Sequence, residues 1–155
     1  MTVASDSSHL VDALESIRTV ALATGLPYAG GVPPQLAWAL ASAGLAQLVD
    51  VRSTEERKFV GHVPEGLHVA WATGTSLTRN PRFVRELESR TGKEAPLLLL
   101  CRSGRRSILA AEAATKAGFT RVFNVLEGFE GEIDTHRHRG GSDGWRFHGL
   151  PWVQD

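Results

Sequence analysis

The stretch Leu97-Leu98-Leu99-Leu100-Cys101-Arg102-Ser103-Gly104-Arg105-Arg106-Ser107 decides how this chain is read. A run of leucines entered from Pro96 and left through a polar, glycine-containing turn reads as a short strand buried on both faces, the environment of a central strand in a parallel sheet. From Ser107 the composition changes to Ile108-Leu109-Ala110-Ala111-Glu112-Ala113-Ala114-Thr115-Lys116-Ala117-Gly118, an alanine-rich helix closed by a glycine suited to its end. Cys101, the only cysteine in the chain, therefore lies in a tight loop between the carboxyl end of a buried strand and a helix start.

The first turn of a helix presents unpaired N–H groups and a partial positive charge, and both favour an anion. A thiolate is such an anion. Moving a cysteine from its ordinary ~8.5 to ~6.5 requires about 2.7 kcal/mol in favour of the charged form, whereas a helix terminus alone supplies ~0.3–1 kcal/mol. The remainder has to come from the loop itself. Arg102, Arg105 and Arg106 are cationic candidates, and the amides from Arg102 to Ser107 can curl round the sulfur as a nest, with Gly104 free to take a positive φ. A lone cysteine is otherwise most often a small buried hydrophobe. Burying this many donors without a ligand is costly, so the loop reads as an anion cradle with a nucleophile at its base.

The spelling Cys101-Arg102-Ser103-Gly104-Arg105-Arg106-Ser107 resembles the active-site loop of the rhodanese (thiosulfate sulfurtransferase) family, in which the cysteine carries a persulfide. Upstream, Leu48-Val49-Asp50-Val51-Arg52-Ser53-Thr54-Glu55-Glu56 and Gly61-His62-Val63-Pro64-Glu65-Gly66 resemble that family's aspartate-x-arginine strand end and glycine-histidine turn. Downstream, Val122-Phe123-Asn124-Val125-Leu126-Glu127-Gly128-Phe129, Gly144-Trp145-Arg146 and Gly149-Leu150-Pro151-Trp152 are similar to its closing segments. The resemblance runs in order from Tyr28 to Trp152, which is far more specific than one short motif.

The resemblance implies an α/β, three-layer fold: a central parallel sheet of about five strands with helices on both faces. It also implies that Cys101 moves sulfane sulfur from thiosulfate or a related small donor to cyanide or a thiol, through a persulfide and without a metal or organic cofactor. Arg102, Ser103, Gly104, Arg105, Arg106 and Ser107 become candidates for binding the substrate, although a tight loop must send some of these side chains outward. Asp50 and Arg52 read either as pocket wall or as part of an internal ion pair tying Asp50 to a loop arginine. Trp71 reads equally as a pocket residue or a packed rim aromatic. Two rivals share the chemistry of the loop. One is a persulfide carrier that takes sulfur from one protein partner and hands it to another. The other is a cysteine phosphatase, but the signature of those enzymes places arginine where this chain has Ser107.

Composition agrees with a small catalytic domain. A chain of 155 residues can bury a core without disulfides or metals, and its 17 basic and 17 acidic residues make no overall case for nucleic acid or a membrane surface as partner. With no basic start followed by an apolar run and no long apolar stretch, the expected location is the cytoplasm. His136, His138 and His148 fall close together, but their spacing matches no zinc motif.

Residues 1–24 read as an extension: a loose start, then an amphipathic helix carrying Leu10, Leu14, Ile17 and Ala21, with Ser7 or Ser8 as its cap. Residues 25–155 read as the domain. Within it, helices are expected from Pro33 or Pro34 to Gly44, from Thr54 to Val60 and from after Pro81 to near Gly92. Strands are expected over Gln47–Val51, Leu67–Ala70 and Arg121–Val125. The segment from His136 to Gly144 reads as a basic loop without defined structure.

Overall fold

The computed structural model describes residues 3–154, with side chains from residue 7 onward. The leucine run is strand β6 (Leu97–Leu100), each residue fully buried. It pairs in parallel with β2 (Gln47–Asp50) on one side and β7 (Val122–Val125) on the other. Two-residue strands β1 (Gly31–Val32) and β3 (Leu67–His68) close the edges, giving a five-stranded parallel sheet in the order β1-β7-β6-β2-β3. A separate hairpin, β4 (Ala72–Thr73) and β5 (Thr78–Arg79), follows β3.

Strand pleat sends successive side chains to opposite faces, and the core divides accordingly. Leu97 and Leu99 meet α4 (Phe83–Arg90) and α5 (Arg105–Lys116) through Phe83, Leu87, Ala110, Ala111 and Ala114. Leu98 and Leu100 meet α1 (Val3–Thr24) and α2 (Pro34–Ser42) through Leu14, Ala37 and Leu40, with Phe123, Phe129 and Trp145. Helices cover both faces, as the leucine run demanded. The remaining helix, α3 (Thr54–Val60), stands at the carboxyl end of β2 and has no fully buried residue.

Three local expectations change. The N-terminal helix starts at Val3, so Ser7 and Ser8 lie inside it rather than capping it. No glycine or proline stops the helix before them. Its stripe packs as read, with Leu14 and Ala21 buried, and Arg121 reaches back to Glu15 at 3.2 Å. The alanine-rich helix begins at Arg105, because Gly104 takes a left-handed conformation at φ 101° that frees the next residue to start the helix. The His136–Gly144 segment is irregular but tied down: Asp134 Oδ1 accepts from the amides of His136 and His138, and Arg139 donates to the Gly131 carbonyl at 2.7 Å.

The pleat also places the Asp50–Arg52 pair. Asp50 stands opposite Leu100 in the ladder and so shares its face. Arg52, with no exposed surface, donates from Nε to Asp50 Oδ1 at 3.0 Å and from Nη2 to Oδ2 at 2.7 Å. Its Nη2 also donates to the Gly61 carbonyl at 2.7 Å, and the guanidinium lies 4.2 Å from the Phe129 ring centre. Arg57 Nε approaches Asp50 Oδ2 to 3.3 Å as an ion contact without hydrogen-bond alignment. The pair thus ties the end of β2 to the glycine-histidine turn and to the segment after β7. Removing one partner strands a buried charge, so Arg52→Ala is expected to cost roughly 3–5 kcal/mol in urea unfolding.

Candidate active site

Cys101 leaves the sheet on the face of Leu97 and Leu99, one step past the end of β6, and is 1% exposed. Its sulfur accepts the Gly104 N–H at 3.1 Å and lies 3.2 Å from Ser107 Oγ. Ser107, in the first turn of α5, is fully buried, and its hydroxyl donates to Asn124 Oδ1 on β7. Of the consecutive amides expected round the sulfur, that of Gly104 alone bonds it among the described residues, with the Ser107 hydroxyl as a second contact.

The loop is held from behind. The carbonyl of Cys101 accepts from Phe129 N at 2.8 Å, and that of Arg102 accepts from Glu130 N at 2.9 Å and Gly131 N at 3.1 Å. Glycine is required at the point of closest approach. A Cβ on Gly128, at φ 68°, would sit 2.5 Å from the Arg102 carbonyl group and the Ser103 nitrogen.

The loop arginines separate into distinct roles. Arg105 points to solvent with its side chain 81% exposed, 3.4 Å from Glu132. Arg106 forms a two-pronged pair with Glu56 at 2.7 Å for both contacts. Glu56 also closes the N-terminus of α3 in a capping box with Ser53. Burial pushes the Glu56 carboxyl up, but the hydrogen bonds and charge of Arg106, with those of Ser53, outweigh it and hold Glu56 below its ordinary 4.5. Burial likewise works against the Arg106 charge. Glu56, with Cys101 and Asp50 behind it, more than offsets that and raises Arg106 above its ordinary value.

Arg102 has no ion-pair partner among the described residues, and its buried Nε lacks a hydrogen-bond acceptor. It lines a cavity of about 280 Å³ with Ser53, Glu56, Phe59, Val60 and Leu77, between α3 and the β4–β5 turn. Ser103 is half-buried beside it. A larger cavity of about 600 Å³ opens at the opposite end of the sheet, where Gln47 and Pro96 enter their strands, away from the sulfur. Ligands of open α/β sheets bind at the carboxyl ends of strands, and of these two cavities the smaller lies at that end, beside the loop at Arg102.

Asp50 and Arg52 stand on the other face of the sheet from Cys101, and the loop arginine that is tied down reaches Glu56 instead of Asp50. Trp71 is packed edge-on against Phe83 at 5.2 Å, with the Arg79 guanidinium 4.6 Å from its ring. Among the described residues no cluster of side chains is arranged to hold a metal, and His148 instead pairs with Glu127 at 2.7 Å.

Asn124, Glu56 and Gly128 were not singled out from the sequence. Glu56 carried a signal in the Ser53-x-x-Glu56 capping spacing. Asn124 carried another, as a lone polar residue in an otherwise apolar strand.

The parallel α/β sheet carries its lone thiol just past the carboxyl end of the central strand, before the start of α5. The Rhodanese-like domain profile matches residues 33–132, well over half of the sequence. The chain belongs to the rhodanese-like family. It is similar to Rv0390 from M. tuberculosis, whose crystal structure is 47% identical with a TM-score of 0.74, covering 83% of this chain and 99% of that one. The senescence-associated protein DIN1 of Raphanus sativus is 34% identical over 100 residues, 63% of this chain and 54% of that protein. The chain thus spans about half the length of that relative. A chloroplastic protein of Arabidopsis thaliana named thiosulfate sulfurtransferase 16 is 30% identical over 105 residues, 66% of this chain and 76% of its own length.

Gly128→Ala combines a disfavoured left-handed backbone angle with a clash against main chain. It is expected to destabilise the fold by about 1–3 kcal/mol and to disturb Cys101 alkylation in the protein that still folds. Because Glu56 is held low, its pairing contributes fully above the ordinary carboxyl range and is lost as the pH falls through its native value. Glu56→Gln should therefore lower stability at neutral pH and flatten the acid-unfolding limb below about pH 4.5, read by circular dichroism.

Proposed function

We propose that this chain is a sulfurtransferase that moves sulfane sulfur from thiosulfate, or a related anionic donor, to a thiophilic acceptor through a persulfide on Cys101. The observation that carries the reading is the sulfur itself. It sits at the base of a helix-start loop, takes a hydrogen bond from Gly104 N–H, and is followed in sequence by Arg102, which has no ion-pair partner among the described residues and lines an adjoining cavity.

In the first half-reaction the Cys101 thiolate attacks the outer sulfur of thiosulfate. The new S–S bond forms as the bond to the sulfonate sulfur breaks, and sulfite leaves with that electron pair. The terminal sulfur of the persulfide then carries the charge. In the second half-reaction cyanide or a thiolate attacks that sulfur and the Cys101 thiolate is regenerated, so ping-pong kinetics are expected. Arg102 supplies the cation for the donor's sulfonate, and Ser103, Gly104 and Ser107 shape the base of the loop. Asp50 and Arg52 support the loop's surroundings from the other face of the sheet, and Trp71 lies in the same buried cluster as Cys101. At 1% exposure the thiol is shielded, so the donor enters as the side chains at the loop mouth part.

A phosphoryl-transfer reading is less well supported. The loop position that would carry the phosphate-clamping arginine is Ser107, whose hydroxyl is engaged between Cys101 and Asn124. The cytoplasm is the location we infer for this chemistry, because a free thiol nucleophile works best where thiols stay reduced.

Incubation with thiosulfate is expected to add the mass of one sulfur atom to Cys101, seen by intact-protein mass spectrometry and absent in Cys101→Ser. Folded protein that gains no sulfur from thiosulfate would remove this reading. Arg102→Gln, losing a charged hydrogen-bond donor, should lower kcat/KM for thiosulfate by about ten-fold or more while leaving attack by cyanide on preformed persulfide less affected.

A further inference from the structure

Behind the Cys101 sulfur lies a buried file of polar atoms that ends in a neutral amide. Ser107 is 0% exposed and Asn124 2% exposed, each far too buried for water to replace a lost partner. Asn124 reaches Ser107, the neighbour of the thiol, because it pairs with Leu99 in the ladder and so shares the face on which Cys101 leaves the sheet. A Cβ built on Gly104, the other residue that holds the sulfur, would lie 3.8 Å from Asn124 Nδ2.

The protons in this file can be counted. Ser107 owns one, and it is donated to Asn124 Oδ1. With that proton committed, the 3.2 Å contact between sulfur and Ser107 Oγ is satisfied only if the sulfur is the donor, that is, in the thiol form. When Cys101 ionises, its proton leaves to solvent and the contact becomes one between two acceptors. The Ser107 proton must then turn to the sulfur, which leaves Asn124 Oδ1 facing a lone pair in a dry site. A carboxamide can remedy this, because a half-turn exchanges its acceptor for its donor. With Nδ2 directed at Ser107 Oγ, every contact in the file is again donor to acceptor.

We propose that Asn124 is a positioning residue for the Cys101 nucleophile: its amide orientation sets the direction of the Ser107 hydroxyl, acceptor inward for the thiol and donor inward for the thiolate. The proposal rests on the reading of Cys101 as the reacting thiol, and it deepens that reading by naming what stabilises the ionised form from inside the fold. The charged groups nearby are Arg106 on α5 with Glu56 on α3, Arg102 in the loop, and Asp50 with Arg52 and Arg57 at the end of β2. None of these forms a hydrogen bond to Ser107 or Asn124 among the described residues, so the amide's role is separable from theirs.

Asn124→Asp keeps the size of the side chain and, when ionised, only accepts. In this variant the iodoacetamide alkylation profile of Cys101 should move to higher pH, with the rate at pH 7 lowered about ten-fold or more. Ser107→Ala should move it in the same direction and Ser107→Thr should restore it. An added carboxylate charge alone could mimic the first effect, so the deciding measurement is the double variant. If Asn124 acts through Ser107, Asn124→Asp changes the rate less than about two-fold in the Ser107→Ala background. Equal effects in both backgrounds, or a wild-type profile in folded Asn124→Asp, would overturn the proposal.

Should these variants not fold, the side-chain amide resonances of Asn124 in the wild-type protein give a second readout. One Nδ2 proton should move downfield with the same midpoint as Cys101 ionisation, and its failure to move would count equally against the proposal. Alkylation does not depend on sulfur transfer. Wild-type protein that takes no sulfur from thiosulfate yet shows the Ser107–Asn124 coupling would sink the sulfurtransferase reading alone. The reverse outcome would sink only this one.

Discussion

The alternation of side chains across β6 is the constraint on which the site depends. Leu97 and Leu99 are committed to the α4–α5 layer, and Leu98 and Leu100 to the α1–α2 layer. A buried strand cannot slip by one residue without exchanging every side chain between faces. The next residue, Cys101, is therefore delivered to the α5 side, where that helix's first turn can approach it. The same rule carries Asn124 to that side through its pairing with Leu99, and carries Asp50 and Arg52 to the other. One parity thus sorts the polar residues at the strand ends into a set on the face of the thiol and a supporting set on the other.

The supporting set works through buried charge. Arg52 joins Asp50, the Gly61 carbonyl and the Phe129 ring, and Phe129 donates its amide to the Cys101 carbonyl. Arg106 joins the Cys101 loop to the cap of α3 through Glu56. Both pairs consume arginines that a motif-based reading would assign to substrate. Desolvated guanidinium groups need fixed carboxylate partners, and once those are found they are no longer free to bind an anion. Arg102 is the loop arginine left beside the cavity without such a partner among the described residues.

Much of this was legible in the residues. The leucine run, the polar turn and the alanine-rich stretch state a central strand, a loop and a helix in terms of local composition, and the expected helices and most strands follow the same patterns. The two-residue strand at Gly31–Val32 and the hairpin after Trp71 were not legible, because segments so short have no periodicity to read. The start of α1 was misjudged for a related reason: Ser7 and Ser8 favour caps, but nothing in the preceding residues obliges the helix to begin there.

The sequence by itself determined that a lone thiol would stand at the carboxyl end of a buried parallel strand, and its motifs pointed to the rhodanese-like family. These follow from local pattern, which the chain carries wherever it folds. Only the tertiary structure decided which loop arginine is left without a partner among the described residues, that Glu56 clasps the loop from a helix 50 residues upstream, and that Asn124 ends the polar file behind the sulfur. Those outcomes depend on strand register and on the competition of buried charges for partners, both of which are settled between segments distant in the chain rather than within any one of them.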